Sequence, residues 1–210
     1  MNDAPAVINY QKIGPRSRHS SAARGFSNGA LWQRAADDFY VEPESATTAL
    51  LNAEWFIGTI WDPAAGSGNV VKACRATGRR AFGSDKVVRQ GLPDLAIGDF
   101  LDLDGANLPW GPVDCIISNP PFKLAEPFIE KALSIARFKV AFLLRTAFLE
   151  GQGRHERIFS KTPLKRVWQF RGRLSMPPGG AAIEARGGAV AFAWFVWDHG
   201  WQGPPQIGWL

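Results

Sequence analysis

Cysteine is scarce in this sequence. Cys74 and Cys115 stand 41 positions apart with no paired spacing, which excludes a disulfide framework and a zinc cluster and leaves both as small core hydrophobes. Histidine is scarcer than usual too: His19, His155 and His199 share no spacing that suggests a metal site or a proton relay. No metal is expected. Long apolar runs are missing; the longest, Ala189 to Trp197, has nine residues and ends in Asp198-His199-Gly200, well short of the roughly 18 residues of a membrane helix. No membrane partner is expected. The start of the chain, Met-Asn-Asp-Ala-Pro, has no charged segment followed by an apolar one, so no secretory signal is read there and a cytoplasmic location is expected. What is present is a chain of 210 residues with 46% hydrophobic and 12% aromatic content, enough to pack one ordinary domain and too apolar for global disorder.

Charge is placed unevenly along this chain, whose formal net charge is +5. Lys12 to Arg34 holds Lys12, Arg16, Arg18, Arg24 and Arg34 and no acid, among Ser, Gly and Ala, so 1–34 reads as a flexible basic arm. Ala35 to Gly105 carries eleven acids against six bases, a net −5 that repels an anionic polymer. Arg137 to Arg173 carries ten bases against Glu150 and Glu156, with Phe148, Phe159, Trp168 and Phe170 interleaved. That is the footprint of a polyanion-binding segment. The alternative is a solvated basic face over core aromatics.

From 35 to 210 the pattern is one α/β domain. A helix beginning near a Ser45 cap precedes the first strand, Ile57 to Trp61; Val70 to Ala76 is helical; Ala81 to Ser84, Leu95 to Gly98 and Val113 to Ser118 are strands. Lys123 to Ala136 is a helix, Lys139 to Leu144 a strand, His155 to Ser160 a short helix, Arg166 to Phe170 a strand, and Ala189 to Trp197 a long final strand. Alternation of this kind implies a mostly parallel sheet covered on both faces, with ligands bound beyond the carboxyl ends of the strands. Those ends carry Asp62, Asp85, Asp99 and Asn119. Pro177 to Gly188 is the one long irregular loop, and 150–188 reads as a small basic recognition insertion.

Asp62-Pro63-Ala64-Ala65-Gly66-Ser67-Gly68 is a strand-to-helix loop in which side chains at Gly66 or Gly68 would fill space a ligand needs. Asp85, 23 positions after Asp62, ends the next strand, where a carboxylate accepts from the two hydroxyls of a ribose. Asp99 offers an acceptor for an exocyclic amine, and Phe100 a ring to stack on adenine. A phosphate-binding Gly-Lys-Ser/Thr is absent, and the third glycine of a nicotinamide fingerprint is missing. A nucleoside-type cofactor fits best. Asn119-Pro120-Pro121-Phe122 follows a strand, and its two prolines lock an extended backbone with fixed carbonyls. The Asn119 amide oxygen and the Pro120 carbonyl can accept both hydrogens of one amino group, with Phe122 stacked on the flat group that carries it. The chemistry asks only for placement and acceptors, with the methyl supplied by a cofactor.

These two motifs, in this order, resemble those of S-adenosylmethionine-dependent amino-methyltransferases, especially DNA adenine-N6 methyltransferases of the small phage-associated type. Asp38-Phe39-Tyr40-Val41-Glu42-Pro43 is similar to the family's N-terminal Tyr-x-Thr-Pro motif, with Glu42 in place of threonine. The stretches Ser118 to Leu133, Leu144 to Gly151, and Trp194 to Trp197 with Gly203, Trp209 and Leu210 add to the resemblance, which covers Trp32 to the C-terminus. It implies a class I methyltransferase, Rossmann-like three-layer sandwich with a seven-stranded sheet, an antiparallel C-terminal hairpin and an edge strand Pro205 to Trp209. It also implies S-adenosylmethionine held by Tyr40, Glu42, Pro43, Asp62, Pro63, Ala64, Gly66, Gly68, Asp85, Asp99 and Phe100, and catalysis by Asn119, Pro120, Pro121 and Phe122. DNA is the implied partner, a duplex base being flipped to reach Asn119, with Lys123, Arg154, Arg157, Lys161, Arg171, Arg173 and the Pro177 to Gly188 loop as contacts and the arm adding phosphate contacts. Trp194, Trp197 and Trp209 are read as core or hairpin packing. An RNA base, and a non-catalytic DNA-binding module that keeps the fold, stand as alternatives.

Overall fold

The computed structural model describes residues 39–89, 91–103, 108–177, 179 and 190–210. The basic arm and most of the Pro177 to Gly188 loop lie outside the described residues.

Eight strands form one sheet: β1 (Ile60–Asp62), β2 (Ala81–Asp85), β3 (Ala96–Ile97), β4 (Cys115–Ser118), β5 (Lys139–Arg145), β6 (Leu164–Gln169), β7 (Phe192–Asp198) and β8 (Gln206–Trp209). Their order is β3-β2-β1-β4-β5-β7-β6-β8. The first five pair in parallel, and β7 runs antiparallel to β5 and to β6. The count is eight where seven strands are expected. Because β7 has β5 on one side and β6 on the other, it has no free edge, and β8 pairs instead in parallel with β6.

Residues on each strand alternate between two apolar layers, as period-two geometry requires. Trp61, Ile116, Val140, Phe142, Leu144, Phe195 and Trp197 face the layer closed by α3 (Ala125–Ile135) through Phe128, Ile129 and Ala132. Ile60, Cys115, Ile117, Ala141, Leu143, Trp194 and Val196 face the layer closed by α1 (Glu44–Ala53) and α2 (Asn69–Ala76). Cys74 and Cys115 are free and buried in that second layer, as expected of core thiols. Buried indoles find polar partners: Trp194 donates to the Ala46 carbonyl at 2.9 Å and Trp61 to the Ser84 hydroxyl at 3.0 Å. The first of these ties α1 to the centre of the sheet. Trp209, in contrast, is 63% exposed on the edge strand and is not core.

Local departures from the expected boundaries have local causes. β1 begins at Ile60 rather than Ile57 because Gly58 adopts φ +68° beside the Asp114 side chain, whose Oδ2 accepts the Thr59 N–H at 2.8 Å. Pro43, not Ser45, sits at the start of α1; its extended backbone turns the chain, and its carbonyl accepts the Ala46 N–H at 2.9 Å. β6 spans Leu164–Gln169, beginning two residues before the expected Arg166. Before β6, a turn at Gln152–Arg154 continues as a wider turn at His155–Phe159 that buries Ile158 in the α3 layer.

Candidate active site

The carboxyl ends of β1, β2 and β4 and the loop after β3 meet at one edge of the sheet, as parallel α/β topology dictates. A cleft opens there, lined on its floor by Pro63, Ala64, Ala65, Gly66 and Ser67, with Asp85, Asp99, Phe100, Asn119 and Pro121 around it. Tyr40 and Glu42 line it from the segment before α1. Of the expected ligand-contacting residues, Pro43, Asp62, Gly68, Pro120 and Phe122 are not among the lining residues.

Asn119 follows β4 with its amide locked in one orientation. Its Nδ2 donates to the Tyr40 carbonyl at 2.9 Å and to Glu42 Oε2 at 2.8 Å. A backbone carbonyl can only accept, so the nitrogen must face Tyr40, and Oδ1 must face the other way. That oxygen is shielded from solvent and accepts no hydrogen bond among the described residues. A buried acceptor left open costs stability, and this one is available to a hydrogen-bond donor that enters the cleft. After Asn119 the buried Pro120 and then Pro121 hold the chain extended, and the Pro121 carbonyl is taken by the Leu124 N–H at 2.8 Å. The ring of Phe122 is stacked with Tyr40 at 5.8 Å between centroids, touches Phe192 at 5.6 Å and has the Arg145 guanidinium 5.0 Å from its centre. A flat substrate on Phe122 would have to take the place of one of these neighbours.

The glycine loop is held by acids. Asp62 Oδ1 accepts the Ser118 hydroxyl at 2.6 Å and the Ala64 N–H at 3.1 Å, and Asp85 accepts the Gly66 N–H at 2.9 Å and the Val87 N–H at 2.9 Å. Asp62 is therefore a buried brace between β1 and β4, beneath the cleft. Burial pushes its carboxyl well above the usual range; the Ser118 hydroxyl opposes this, and the charges of Glu42 and Asp85 add to it. Burial likewise pushes Glu42 up to about 7 against the opposing effect of its hydrogen bonds. Gly66 has φ +53°, and a Cβ there would strike the Phe39 ring, so only glycine suits the turn. Gly68, at φ +81°, starts α2. Asp99 caps the turn Phe100–Asp102 through the Leu101 N–H at 3.0 Å, while Phe100, 1% exposed, packs on Trp61 and Phe128 as part of the cleft wall.

Beside the cleft a second groove is lined by Phe122, Lys123, Leu144, Arg145, Phe148 and Arg154. Among the expected polyanion contacts, Arg154 and Arg157 are committed to Glu126, at 3.3 and 2.9 Å, and Arg154 also donates to the Phe148 and Glu150 carbonyls. Arg171 follows β6 on the site edge and donates to Leu210, and Arg173 lies two residues on. Lys161 stands apart from these. It precedes the first residue of β6, which runs parallel to β5 because both oppose β7, so it sits at the edge opposite the cleft.

Sequence reading missed Phe39, Lys86, Arg89 and Arg145. Lys86 and Arg89 line the cleft, Arg89 with its guanidinium 3.7 Å from the centre of the Phe39 ring. Their proximity to Asp85, at one and four positions on, was the available signal. Arg145 ends β5, and asking of that strand end what was asked of the other four would have found it.

The sequence matches no protein-family model and no curated protein. Solved structures do match in fold. The type I restriction-modification system methyltransferase subunit from Streptococcus thermophilus matches over 76% of this chain and 44% of its own, at 13% identity and a TM-score of 0.52. A predicted O-methyltransferase from Agrobacterium tumefaciens matches over 80% of this chain and 84% of its own, at 15% identity and a TM-score of 0.53. A provisionally assigned RNA methyltransferase from Pyrococcus horikoshii matches over 74% and 80%, at 16% identity and 0.52. The chain spans just under half the length of the restriction-modification subunits it matches. Strand order, a single antiparallel strand next to β5, and these neighbours together give the chain the class I methyltransferase fold.

Proposed function

We propose that this protein transfers a methyl group from S-adenosylmethionine to the exocyclic N6 amine of adenine in DNA. The observation that carries the reading is the open Oδ1 of Asn119, a buried acceptor fixed at the wall of the cleft by two hydrogen bonds to the other end of the same amide. The restriction-modification neighbours support DNA as the polymer.

The cleft suits the cofactor. Asp85 retains acceptor capacity beyond the two backbone amides it holds, and Asp99 stands at the next strand end. When bound, the cofactor supplies a methyl on a positively charged sulfur. Asn119 Oδ1 accepts one hydrogen of the target amine, aiming the nitrogen lone pair toward the cleft and favouring the positive charge that grows on that nitrogen. The rigid Pro120-Pro121 backbone fixes this geometry before substrate arrives. Lys123 and Arg145, lining the groove next to Asn119, supply positive charge for the phosphates that flank an extruded base.

The test is incubation with isotope-labelled S-adenosylmethionine and unmethylated duplex DNA, with structured RNA and protein extract in parallel, followed by nucleoside digestion and mass analysis. Labelled N6-methyladenine from DNA is expected. Label only in RNA keeps the chemistry and changes the polymer; tight cofactor binding with no label in any fraction refutes the enzymatic reading in favour of a binding module.

A further inference from the structure

The proposed chemistry rests on Asn119, yet the residue that holds Asn119 is the one at which the chain departs from the Tyr-x-Thr-Pro pattern. Glu42 is 7% exposed, and its Oε2 accepts from Asn119 Nδ2 at 2.8 Å. Its backbone is also fixed, the carbonyl accepting from the Asn69 side chain at 2.7 Å. A carboxylate pulling on the N–H end of an amide polarises it and enriches the oxygen at the far end, and a charge-assisted hydrogen bond is roughly twice as strong as a neutral one.

Resting on the function proposed above, we infer that Glu42 is a positioning residue: its ionised carboxylate orients and polarises the Asn119 amide, so that the acceptor strength of Oδ1 follows the charge on Glu42. Asp62 on β1 is close enough for the charge of Glu42 to raise its carboxyl, and Asp85, Lys86, Arg89 and Asp99 are the charged groups that line the same cleft. Asn119 after β4 and the Tyr40 carbonyl carry no charge. Burial holds the carboxyl near 7, so the switch falls where it can be observed without denaturing the protein.

The experiment follows the side-chain amide signals of Asn119 in full-length protein labelled with ¹⁵N-asparagine, assigned by their loss in Asn119→Ala, from pH 5.5 to 8.5. A shift with a midpoint of about 7 is expected, absent in Glu42→Gln and in Glu42→Thr, each of which puts a neutral side chain at this position. In parallel, single-turnover methyl transfer should rise through the same midpoint in the wild type. Glu42→Gln should lower kcat about tenfold with little change in KM and should lose that pH step. Asn119 signals that stay constant across the range, or that still titrate in Glu42→Gln, overturn the inference. Signals that titrate as expected in a protein that methylates no nucleic acid leave the coupling standing and refute the proposed function instead.

Discussion

Replacing Glu42 by glutamine should change how stability depends on pH. In the folded protein burial lifts this carboxyl from 4.5 to about 7. The folded state therefore binds the proton more tightly than the unfolded chain, and stability is lost as pH rises through the window between those two values. At about 1.4 kcal/mol per unit, the difference is worth about 3 kcal/mol once Glu42 is ionised in both states. Glutamine keeps the shape and can still accept from Asn119, yet it carries no charge to desolvate. Wild type and Glu42→Gln should be nearly equal in stability at pH 4.5, and the variant should be more stable by about 3 kcal/mol at pH 8. Relief of the repulsion between Glu42 and Asp62 acts in the same direction. Urea unfolding at half-unit steps of pH, with the m-value held in view, reads this directly. Parallel stability curves for the two proteins would refute the burial argument.

Arg145→Ala should weaken binding to a DNA oligonucleotide and reduce the slope of log K against log salt by about one, whereas Lys161→Ala, at the opposite edge of the sheet, should leave that slope unchanged; fluorescence anisotropy across a salt series separates the two. Gly66→Ala should cost about 1–2 kcal/mol of stability for a side chain at φ +53° and displace the Phe39 ring, raising the Kd for S-adenosylmethionine in calorimetry; an unchanged Kd would show that the loop is not in contact with the cofactor. Removing residues 1–30 should reduce DNA affinity and its salt dependence while leaving cofactor binding intact.

Much of this site was legible in the sequence because parallel α/β topology gathers strand ends, and each polar residue there is marked by the apolar run before it. Asp62, Asp85, Asp99 and Asn119 were all found this way. The division of labour among them was not legible. That Asp62 is a brace under the loop, and that Asp85 holds the Gly66 amide, follows from which atoms meet across strands that are 19 to 56 positions apart. The commitment of Arg154 and Arg157 to Glu126 was hidden for the same reason, since a charge count cannot see an internal partner on α3. The edge strand at the C-terminus was legible, but its parallel pairing with β6 was not, because it depends on β7 having both edges filled, a property of the whole sheet. Glu42 reads in the sequence as a departure from a pattern; its contact with Asn119 joins residues 77 positions apart.

The most direct test of the account compares wild type with Asn119→Ala in labelled methyl transfer to duplex DNA, with the affinity for S-adenosylmethionine measured on both. Labelled N6-methyladenine is expected from the wild type, with a loss of at least about a hundredfold in rate in the variant and equal cofactor affinity in the two proteins. Full activity in Asn119→Ala would contradict it.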